Sequence, residues 1–405
     1  MRPLPGRARD EEGDAMSTKA PAGEAAAGET RPDIHRGLNG VYFDRSQVCF
    51  IDGRAGTLLY RGYSIHELAE RSTFEETAYL LLSGELPTRA QLAGFEAEQR
   101  AARAVPAPVL DIVRGIADAH PMDVLRTAVS ALAAFDPERE DGSAEAVARK
   151  GARLTAQAAT LVAAHHAIRK GRDPVAPSDS LGHAANFLYM VTGEEPAPET
   201  ARLMDIDFVL HAEHSSNASS FAARVVAATG ADVHAAIVAG IAALSGPAHG
   251  GAAENVMQMA REIGDPAHAA EYVKAKRSRR EPVMGFGHRV YRTEDPRARH
   301  LREGVRRLST ERGEPTWFAI LEAVEEAMRP YVRLGVAPNV DFYAGVIYHL
   351  LGIPQELFVP IFSLGRVPGW TVQVLEQIEN NILIRPLLDY TGPAERPYVP
   401  IEERG

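Results

Sequence analysis

The chain has 405 residues, of which 45% are hydrophobic and 24% charged. This balance excludes a fibrous or disordered protein and predicts one or two globular domains. The formal net charge of −10 gives no general attraction for nucleic acid or an anionic membrane, so a polyanionic ligand needs a local basic patch. The single cysteine, Cys49, excludes an intrachain disulfide framework and a cysteine zinc site, and we expect a cytoplasmic protein.

Neither the N-terminal segment nor the longest apolar run predicts a membrane segment or a targeting signal. Residues 1–33 are rich in Ala, Gly, Pro and Glu without apolar periodicity, which predicts a disordered tail. The apolar run at residues 235–244 is shorter than the roughly 20 residues that cross a bilayer. His234 and Ser245 bound this run, so we interpret it as a buried helix.

The first predicted elements are strands, and all later ones are helices. Two short strands at residues 48–51 and 57–60 flank a loop with two glycines, which predicts a small hairpin. Capping-box spacings at residues 64–67 and 73–76 then open two helices, the second of which ends at Gly84. Ala- and Leu-rich helical segments follow without the helix–strand alternation of a parallel sheet. We therefore predict an all-α fold with a small N-terminal β-hairpin.

Two histidines lie on or beside the helix predicted to begin near Thr200. An apolar stripe on this helix leads to His214, next to His211, so the pattern places both imidazoles inward. Ordinary core histidines are the structural alternative. A metal site is a second alternative because the His-x-x-His spacing brings both rings near Glu213. No third ligand follows at suitable spacing, so we set a metal site aside.

Two glycine-rich stretches each contain one histidine. Residues 245–251 surround His249 with Gly and Pro, which lets the backbone approach a ligand closely, although a helix C-cap loop explains the pattern equally well. Residues 285–292 place small residues around His288, and arginines follow at short intervals up to Arg297. We consider this second stretch the most informative in the chain.

Several charged residues occur in unusual sequence surroundings. A solvated helix face is the usual explanation for the basic run at residues 274–280, and its position directly before the second glycine-rich stretch adds phosphate binding as an alternative. Asp341 lies among apolar residues, where desolvation would raise the pKa of its carboxylate toward that of a useful base, although a helix N-cap is the commoner role. Arg366 and Arg385 interrupt apolar segments without an acidic neighbour, so a dicarboxylate ligand would supply their partner.

These segments together resemble the citrate synthase family, including the 2-methylcitrate synthases. The resemblance covers roughly residues 37–392 and is most specific in the Gly-Phe-Gly-His stretch that continues to Arg297. It implies a two-domain helical fold in which residues 34–250 and 346–405 form a large domain. Residues 251–345 would form a small domain that closes over the active site.

The resemblance implies an acyltransferase of the tricarboxylic acid cycle that condenses acetyl-CoA with oxaloacetate and hydrolyses the citryl thioester to citrate and CoA. The alternative is a 2-methylcitrate synthase, which uses propionyl-CoA. Family members need no cofactor or metal. By resemblance, the catalytic residues are Asp341 as base, His249 as donor to the enolate and His288 as donor to the keto carbonyl.

The resemblance also implies two binding sites and an obligate homodimer. The oxaloacetate site would consist of His214, Asn217, His288, Arg297, Arg366 and Arg385. Arg385 would enter from the partner subunit. The CoA site would contain Val283, Met284, Gly285, Phe286, Gly287, Arg292, Lys276 and Arg280. A helical binding protein that has lost activity is a further alternative, but all three catalytic groups are present.

Overall fold

The structure is a computed structural model, and it describes residues 32–38 and 40–405. The predicted disordered tail therefore lies almost wholly outside the described residues. The chain divides into two compact units. One contains the described residues up to Asp44 together with Pro386–Gly405, and the other contains Arg45–Arg385. The division into a large domain and a closing small domain stays a prediction.

The larger unit is predominantly helical, and the all-α prediction is confirmed. Its α-helices are α1 (Ile65–Arg71), α2 (Phe74–Ser83), α3 (Arg89–Ala101), α4 (Ala107–Gly115), α5 (Pro121–Leu132), α6 (Ala144–Arg169), α7 (His183–Thr192), α8 (Pro198–His211), α9 (Ala218–Ala227), α10 (Val233–Leu244), α11 (Ala252–Ile263), α12 (Ala269–Ser278), α13 (Ala298–Glu311), α14 (Pro315–Val332), α15 (Asp341–Leu350) and α16 (Phe358–Glu379). Short 3-10 helices occur at Arg36–Leu38, Ala133–Phe135, Pro266–His268, Gln355–Leu357 and Ile401–Glu403.

A small antiparallel sheet precedes α1, and the predicted hairpin is confirmed. Its strands are β1 (Cys49–Asp52), β2 (Thr57–Tyr60) and β3 (Tyr63–Ser64), in the order β1-β2-β3. Cys49 pairs with Tyr60 in this register. Asp52 closes the β1–β2 turn because its Oδ1 atom accepts the backbone N–H groups of Arg54 and Ala55. The two-residue strand β3 is an addition that the sequence pattern did not predict.

Both predicted helix starts after the sheet are confirmed. The Ser64 side chain accepts the His66 N–H at the start of α1, and the Thr73 side chain accepts the Glu76 N–H at the start of α2. The second helix ends at Gly84, whose φ of 90° lies in the left-handed region.

Helix α16 is buried along most of its length, and small residues let neighbouring helices approach it closely. A Cβ atom at Gly151 of α6 would lie 2.1 Å from Cγ2 of Thr371. A Cβ atom at Gly240 of α10 would lie 2.8 Å from the ring of Trp370. This close packing holds Arg366 and Trp370 of α16 at defined positions in the interior.

The apolar run at residues 235–244 forms most of α10, as predicted. Asp232 caps this helix by accepting the Ala235 N–H, and its apolar face is buried. Within the described part of the chain, no helix combines the length and the apolar character needed to cross a membrane.

Candidate active site

The loop between α8 and α9 carries His214. Helix α8 ends at His211, so the predicted continuation of its apolar stripe to His214 is wrong. His214 is nevertheless buried, because the loop folds inward beside the sheet. The Tyr60 hydroxyl donates to the carbonyl oxygen of Glu213 at 2.8 Å, which connects β2 to this loop. Asn217 ends the loop as the N-cap of α9.

His249 lies in the turn after α10 and contacts the start of α9. Its Nε2 atom is 2.8 Å from Oγ of Ser219 and accepts the Ser219 backbone N–H at 3.4 Å. Trp370 donates its indole N–H to the same Oγ at 3.0 Å. Since the backbone N–H can only donate, Nε2 is the acceptor and Nδ1 carries the proton. The ring therefore does not cap α10, and its Nδ1–H is available to a ligand.

The stretch that contains His288 pairs with the stretch that leads to Asp341. The N–H of Gly287 donates to the Ala337 carbonyl at 2.8 Å, and the Asn339 N–H donates to the Gly285 carbonyl at 2.9 Å. Gly285 has a φ of 77°, and a Cβ atom there would lie 2.6 Å from the ring of Phe342. Only glycine permits both the backbone angle and the close approach.

His288 and His214 face each other with Tyr291 beside them. The Nδ1 atom of His288 accepts the N–H groups of Val290 at 3.0 Å and Tyr291 at 3.2 Å, so its proton is on Nε2. The His288 and His214 ring centroids are 5.1 Å apart, and the Tyr291 hydroxyl is 3.2 Å from Nε2 of His214. This arrangement brings two predicted ligand-binding imidazoles together.

Burial makes the three site histidines poor proton acceptors. It lowers the pKa of His249 to about 4 and the pKa of His288 to about 4, and it lowers the pKa of His214 well below its usual value. Nearby arginines act in the same direction. At neutral pH these rings are therefore neutral, and a neutral imidazole offers one N–H donor rather than a positive charge.

Arg297 and Arg366 bring positive charge into the same interior. Arg297 forms two bonds with Asp295, from Nε to Oδ1 at 2.9 Å and from Nη2 to Oδ2 at 2.6 Å. Arg366 donates from Nε to the His211 carbonyl at 2.5 Å, and its guanidinium lies 4.9 Å from the ring centroid of Phe362. The pKa of Arg366 is lowered by burial, so an added anion would stabilise its charge.

Arg385 differs from the other two arginines. It is exposed in the extended segment after α16, and it has no hydrogen bond or ion pair with any described residue. The apolar segment around it is therefore largely exposed in this chain taken alone. Its predicted contribution to the site of a partner subunit stays a prediction.

Asp341 is the first residue of α15, and the backbone of Val340 occupies the N-cap position. The N-cap alternative for Asp341 is therefore wrong. Desolvation raises the pKa of its carboxylate, whereas His211 and then Arg297 oppose this rise. A desolvated carboxylate that is fixed at the first residue of a helix can act as a general base.

The predicted CoA residues fall into two groups. The first group is residues 283–287. Val283 is buried, and Gly285 and Gly287 form the backbone hydrogen bonds to Asn339 and Ala337. In the basic run, Lys276 lies 3.2 Å from Glu281, whereas Arg280 is exposed. The exposed Arg292 lines a cleft of about 420 Å³, whose other lining residues are Phe50, Ile51, Asp52, Gly53, Arg54 and Val290. Glu281 therefore neutralises part of the predicted patch.

Several side chains in the site were not singled out from the sequence. Ser219 and Trp370 orient His249, and Tyr291 contacts His214. Asp295 pairs with Arg297 through two hydrogen bonds and holds its guanidinium in place. Ser219 and Trp370 carried no sequence signal, because their role depends on contacts across distant helices.

Known proteins are similar to this chain over most of its length. A family model described as citrate synthase, C-terminal domain, matches residues 37–387. The citrate synthase of Deinococcus radiodurans is 46% identical, over 92% of this chain and 99% of its own. A 2-methylcitrate synthase of Mycobacterium tuberculosis is 42% identical, over 91% of this chain and 93% of its own.

Two solved structures are also similar. The citrate synthase of Pyrobaculum aerophilum superimposes with a TM-score of 0.88 at 42% identity, covering 92% of this chain and 95% of its own. The citrate synthase of Thermoplasma acidophilum, in a ternary complex with carboxymethyl coenzyme A and oxaloacetate, has a TM-score of 0.87 at 31% identity. That match covers 92% of this chain and 100% of the other.

Proposed function

The chain belongs to the citrate synthase family, and from this premise we propose that it condenses acetyl-CoA with oxaloacetate to give citrate and CoA. One observation carries the proposal. Two neutral imidazoles carry their protons at opposite positions, on Nδ1 of His249 and Nε2 of His288, and the carboxylate of Asp341 is desolvated. This set supplies two oriented donors and one base, which a condensation between carbon atoms requires.

The first step is removal of a proton from the thioester methyl group. This carbon acid is very weak, so a base and a donor to the developing enolate oxygen must act together. Asp341 takes the proton, and the Nδ1–H group of His249 donates to the thioester oxygen. Because His249 is neutral, the enolate gains a hydrogen bond without a strongly acidic neighbour that would quench the nucleophilic carbon.

The second step forms the new carbon–carbon bond. The enolate carbon attacks the keto carbon of oxaloacetate, and the Nε2–H group of His288 donates to the keto oxygen as it becomes an alkoxide. Arg297 and Arg366 bind the oxaloacetate carboxylates, which fixes the keto carbon near the nucleophile. Attack of water on the citryl thioester then breaks the carbon–sulfur bond and releases citrate and CoA.

The finer assignments belong to the same proposal. Arg385 completes the oxaloacetate site from the partner subunit of a homodimer, and its exposure within one chain supports this role. The exposed Arg280 and Arg292 bind CoA phosphates beside the backbone of residues 283–287. A cytoplasmic location agrees with the single cysteine.

The alternative within the family is 2-methylcitrate synthesis from propionyl-CoA, since curated relatives carry both names. The two acyl groups differ by one methylene, which is worth only about 1–3 kcal/mol in an apolar pocket. The citrate synthases include the relatives of higher identity and therefore favour acetyl-CoA.

Thiol release tests the proposal directly. Wild type is incubated with oxaloacetate and either acetyl-CoA or propionyl-CoA, and free CoA is measured with a thiol-reactive chromophore. The Asp341→Ala variant loses the base, so we expect its rate to fall by about 10²–10⁴-fold. Asp111→Ala, on the exposed surface of α4, is the control and keeps the wild-type rate. If wild type releases no CoA from either substrate, the proposal is wrong. A strong preference for propionyl-CoA would favour the alternative.

A further inference from the structure

Tyr60 of the hairpin holds the loop that carries His214, and the mechanism above does not use it. Its hydroxyl donates to the Glu213 carbonyl oxygen at 2.8 Å and accepts the Glu213 N–H at 3.3 Å. The same hydroxyl lies 3.2 Å from the carbonyl oxygen of Leu210. The side chains of Tyr60 and Glu213 are completely buried. The hydroxyl therefore bonds the backbone of the residue directly before His214.

Helix α16 holds the same loop from the other side. Arg366 donates from Nε to the His211 carbonyl, and Gln373 donates from Nε2 to Oε1 of Glu213 at 2.8 Å. The approach is close, because a Cβ atom at Gly369 would lie 2.6 Å from Oε2 of Glu213. The start of the loop therefore lies between β2 and α16, and both contribute hydrogen bonds to it.

The loop needs these distant partners because local structure does not fix it. The last carbonyl groups of an α-helix have no intrahelical donor. At the end of α8, the Leu210 carbonyl lies beside the Tyr60 hydroxyl, and the His211 carbonyl accepts from Arg366. Ser215 has a φ of 52°, an uncommon backbone angle for a residue other than glycine. Such an angle persists only when surrounding contacts hold it.

Two side chains assigned to oxaloacetate depend on this segment. His214 directly follows Glu213, and its ring faces His288, with the ring centroids 5.1 Å apart. Arg366 uses Nε on the loop, whereas its two Nη groups have no hydrogen-bond partner among the described residues. One guanidinium thus holds the loop and keeps donors for a carboxylate. The position of the loop therefore sets the spacing between His214 and Arg366.

We propose that Tyr60 is a positioning residue that fixes His214 relative to Arg366 and thereby sets the affinity for the dicarboxylate keto acid. Tyr60 acts through the loop backbone, since its hydroxyl proton is already bonded there. This inference rests on the proposed function, because it takes oxaloacetate as the ligand of His214 and Arg366. The alternative is that Tyr60 only attaches the hairpin to the helices.

The test uses Tyr60→Phe, which removes the hydroxyl and keeps the buried ring. Without it, the buried carbonyl and N–H of Glu213 lose their partner, so the loop shifts. Steady-state kinetics give kcat and both KM values, and calorimetric titration with oxaloacetate alone gives its Kd. We expect KM and Kd for oxaloacetate to rise about tenfold, while kcat and the KM for acetyl-CoA stay within about twofold, as for a lost binding contact.

A matched control removes a comparable hydroxyl far from the loop in sequence. Thr160 in α6 is buried and donates to the Arg103 carbonyl at 2.8 Å. Thr160→Val should lose a similar amount of stability and keep the wild-type Kd for oxaloacetate. An unchanged Kd in Tyr60→Phe, or an equal rise of Kd in both variants, would mean a structural role only and would overturn the inference.

A measurement on wild type keeps the inference testable even if Tyr60→Phe does not fold. Hydrogen–deuterium exchange without substrate should show a protected Glu213 amide, because Tyr60 accepts its N–H inside the protein. Exchange of this amide as fast as in an exposed loop would overturn the inference. A wild-type chain that releases no CoA but binds oxaloacetate, with weaker binding in Tyr60→Phe, contradicts only the proposed function.

Discussion

The Nε2 atom of His249 lies 2.8 Å from Oγ of Ser219, and this contact determines which nitrogen of His249 faces the substrate. Trp370 donates to the same oxygen, which also lies 2.8 Å from Oδ1 of Asn217. Ser219 therefore joins α9, α16 and the turn after α10 at one atom. The orientation of His249 depends on three segments that are distant in sequence.

Replacing Ser219 with Ala should lower kcat more than it changes KM. The ring of His249 loses the hydroxyl that orients it, and we expect a decrease in kcat of about tenfold to a hundredfold. The indole N–H of Trp370 also loses its acceptor, which should cost about 1–3 kcal/mol of stability. Steady-state kinetics and denaturant unfolding measure the two effects. Trp370→Phe is the comparison, since it removes the indole N–H and leaves Ser219 in place.

The buried pair of Asp295 and Arg297 should be needed for both folding and oxaloacetate binding. Asp295→Asn leaves the arginine without its carboxylate, so we expect a loss of about 3–5 kcal/mol in unfolding free energy. We also expect the KM for oxaloacetate to rise because Arg297 is no longer held in place. Glu303→Gln breaks the exposed pair of Glu303 with Arg306 and should cost at most about 1 kcal/mol. Equal losses in the two variants would refute this view of the buried pair.

A pair of histidines should make the protein less stable in mild acid. Nδ1 of His66 in α1 lies 2.8 Å from Nε2 of His300 in α13. Desolvation lowers the pKa of His66, and it lowers the pKa of His300 to about 4, below the ordinary value of 6.5. The unfolded chain therefore binds more protons between these values, and stability falls as the pH decreases from about 6.5 toward 4.

Removing one ring should remove part of this acid sensitivity. His300→Gln should reduce the loss of unfolding free energy between pH 7 and pH 5 by about 1 kcal/mol, a figure reduced because the ring is partly exposed to solvent. Urea unfolding at both pH values measures the difference. The exposed His35→Gln variant should keep the wild-type pH dependence, and an unchanged dependence in His300→Gln would contradict the prediction.

Two glycine substitutions should change stability in opposite directions. A Cβ atom at Gly151 would clash with Thr371 of α16, so Gly151→Ala should cost about 1–3 kcal/mol through overpacking. Gly94 in α3 has no atom within 4 Å of the added carbon, so Gly94→Ala should stabilise the helix by about 0.5–1 kcal/mol. Thermal unfolding of both variants measures the difference. A stable Gly151→Ala variant would mean that α6 and α16 pack less tightly than described.

Local sequence signals predicted the elements whose formation depends on neighbouring residues. Ser64 and Thr73 cap α1 and α2, and Gly84 ends α2, because capping needs only a few adjacent groups. The sequence pattern placed His214 on the buried stripe of α8. The ring is buried, but α8 ends three residues earlier and the loop after it carries the ring. A helical period alone does not show where tertiary contacts end a helix.

The sequence by itself determined the all-α class, the hairpin and the family, because these follow from residue periodicity and from motifs of adjacent residues such as the one around His288. Only the tertiary structure decided which nitrogen of His249 and of His288 carries a proton. Ser219 with Trp370, and Asp207 with Tyr348, are far apart in the chain and meet only through helix packing. Proton position and charge depend on burial and on such distant partners, so no local pattern could have specified them.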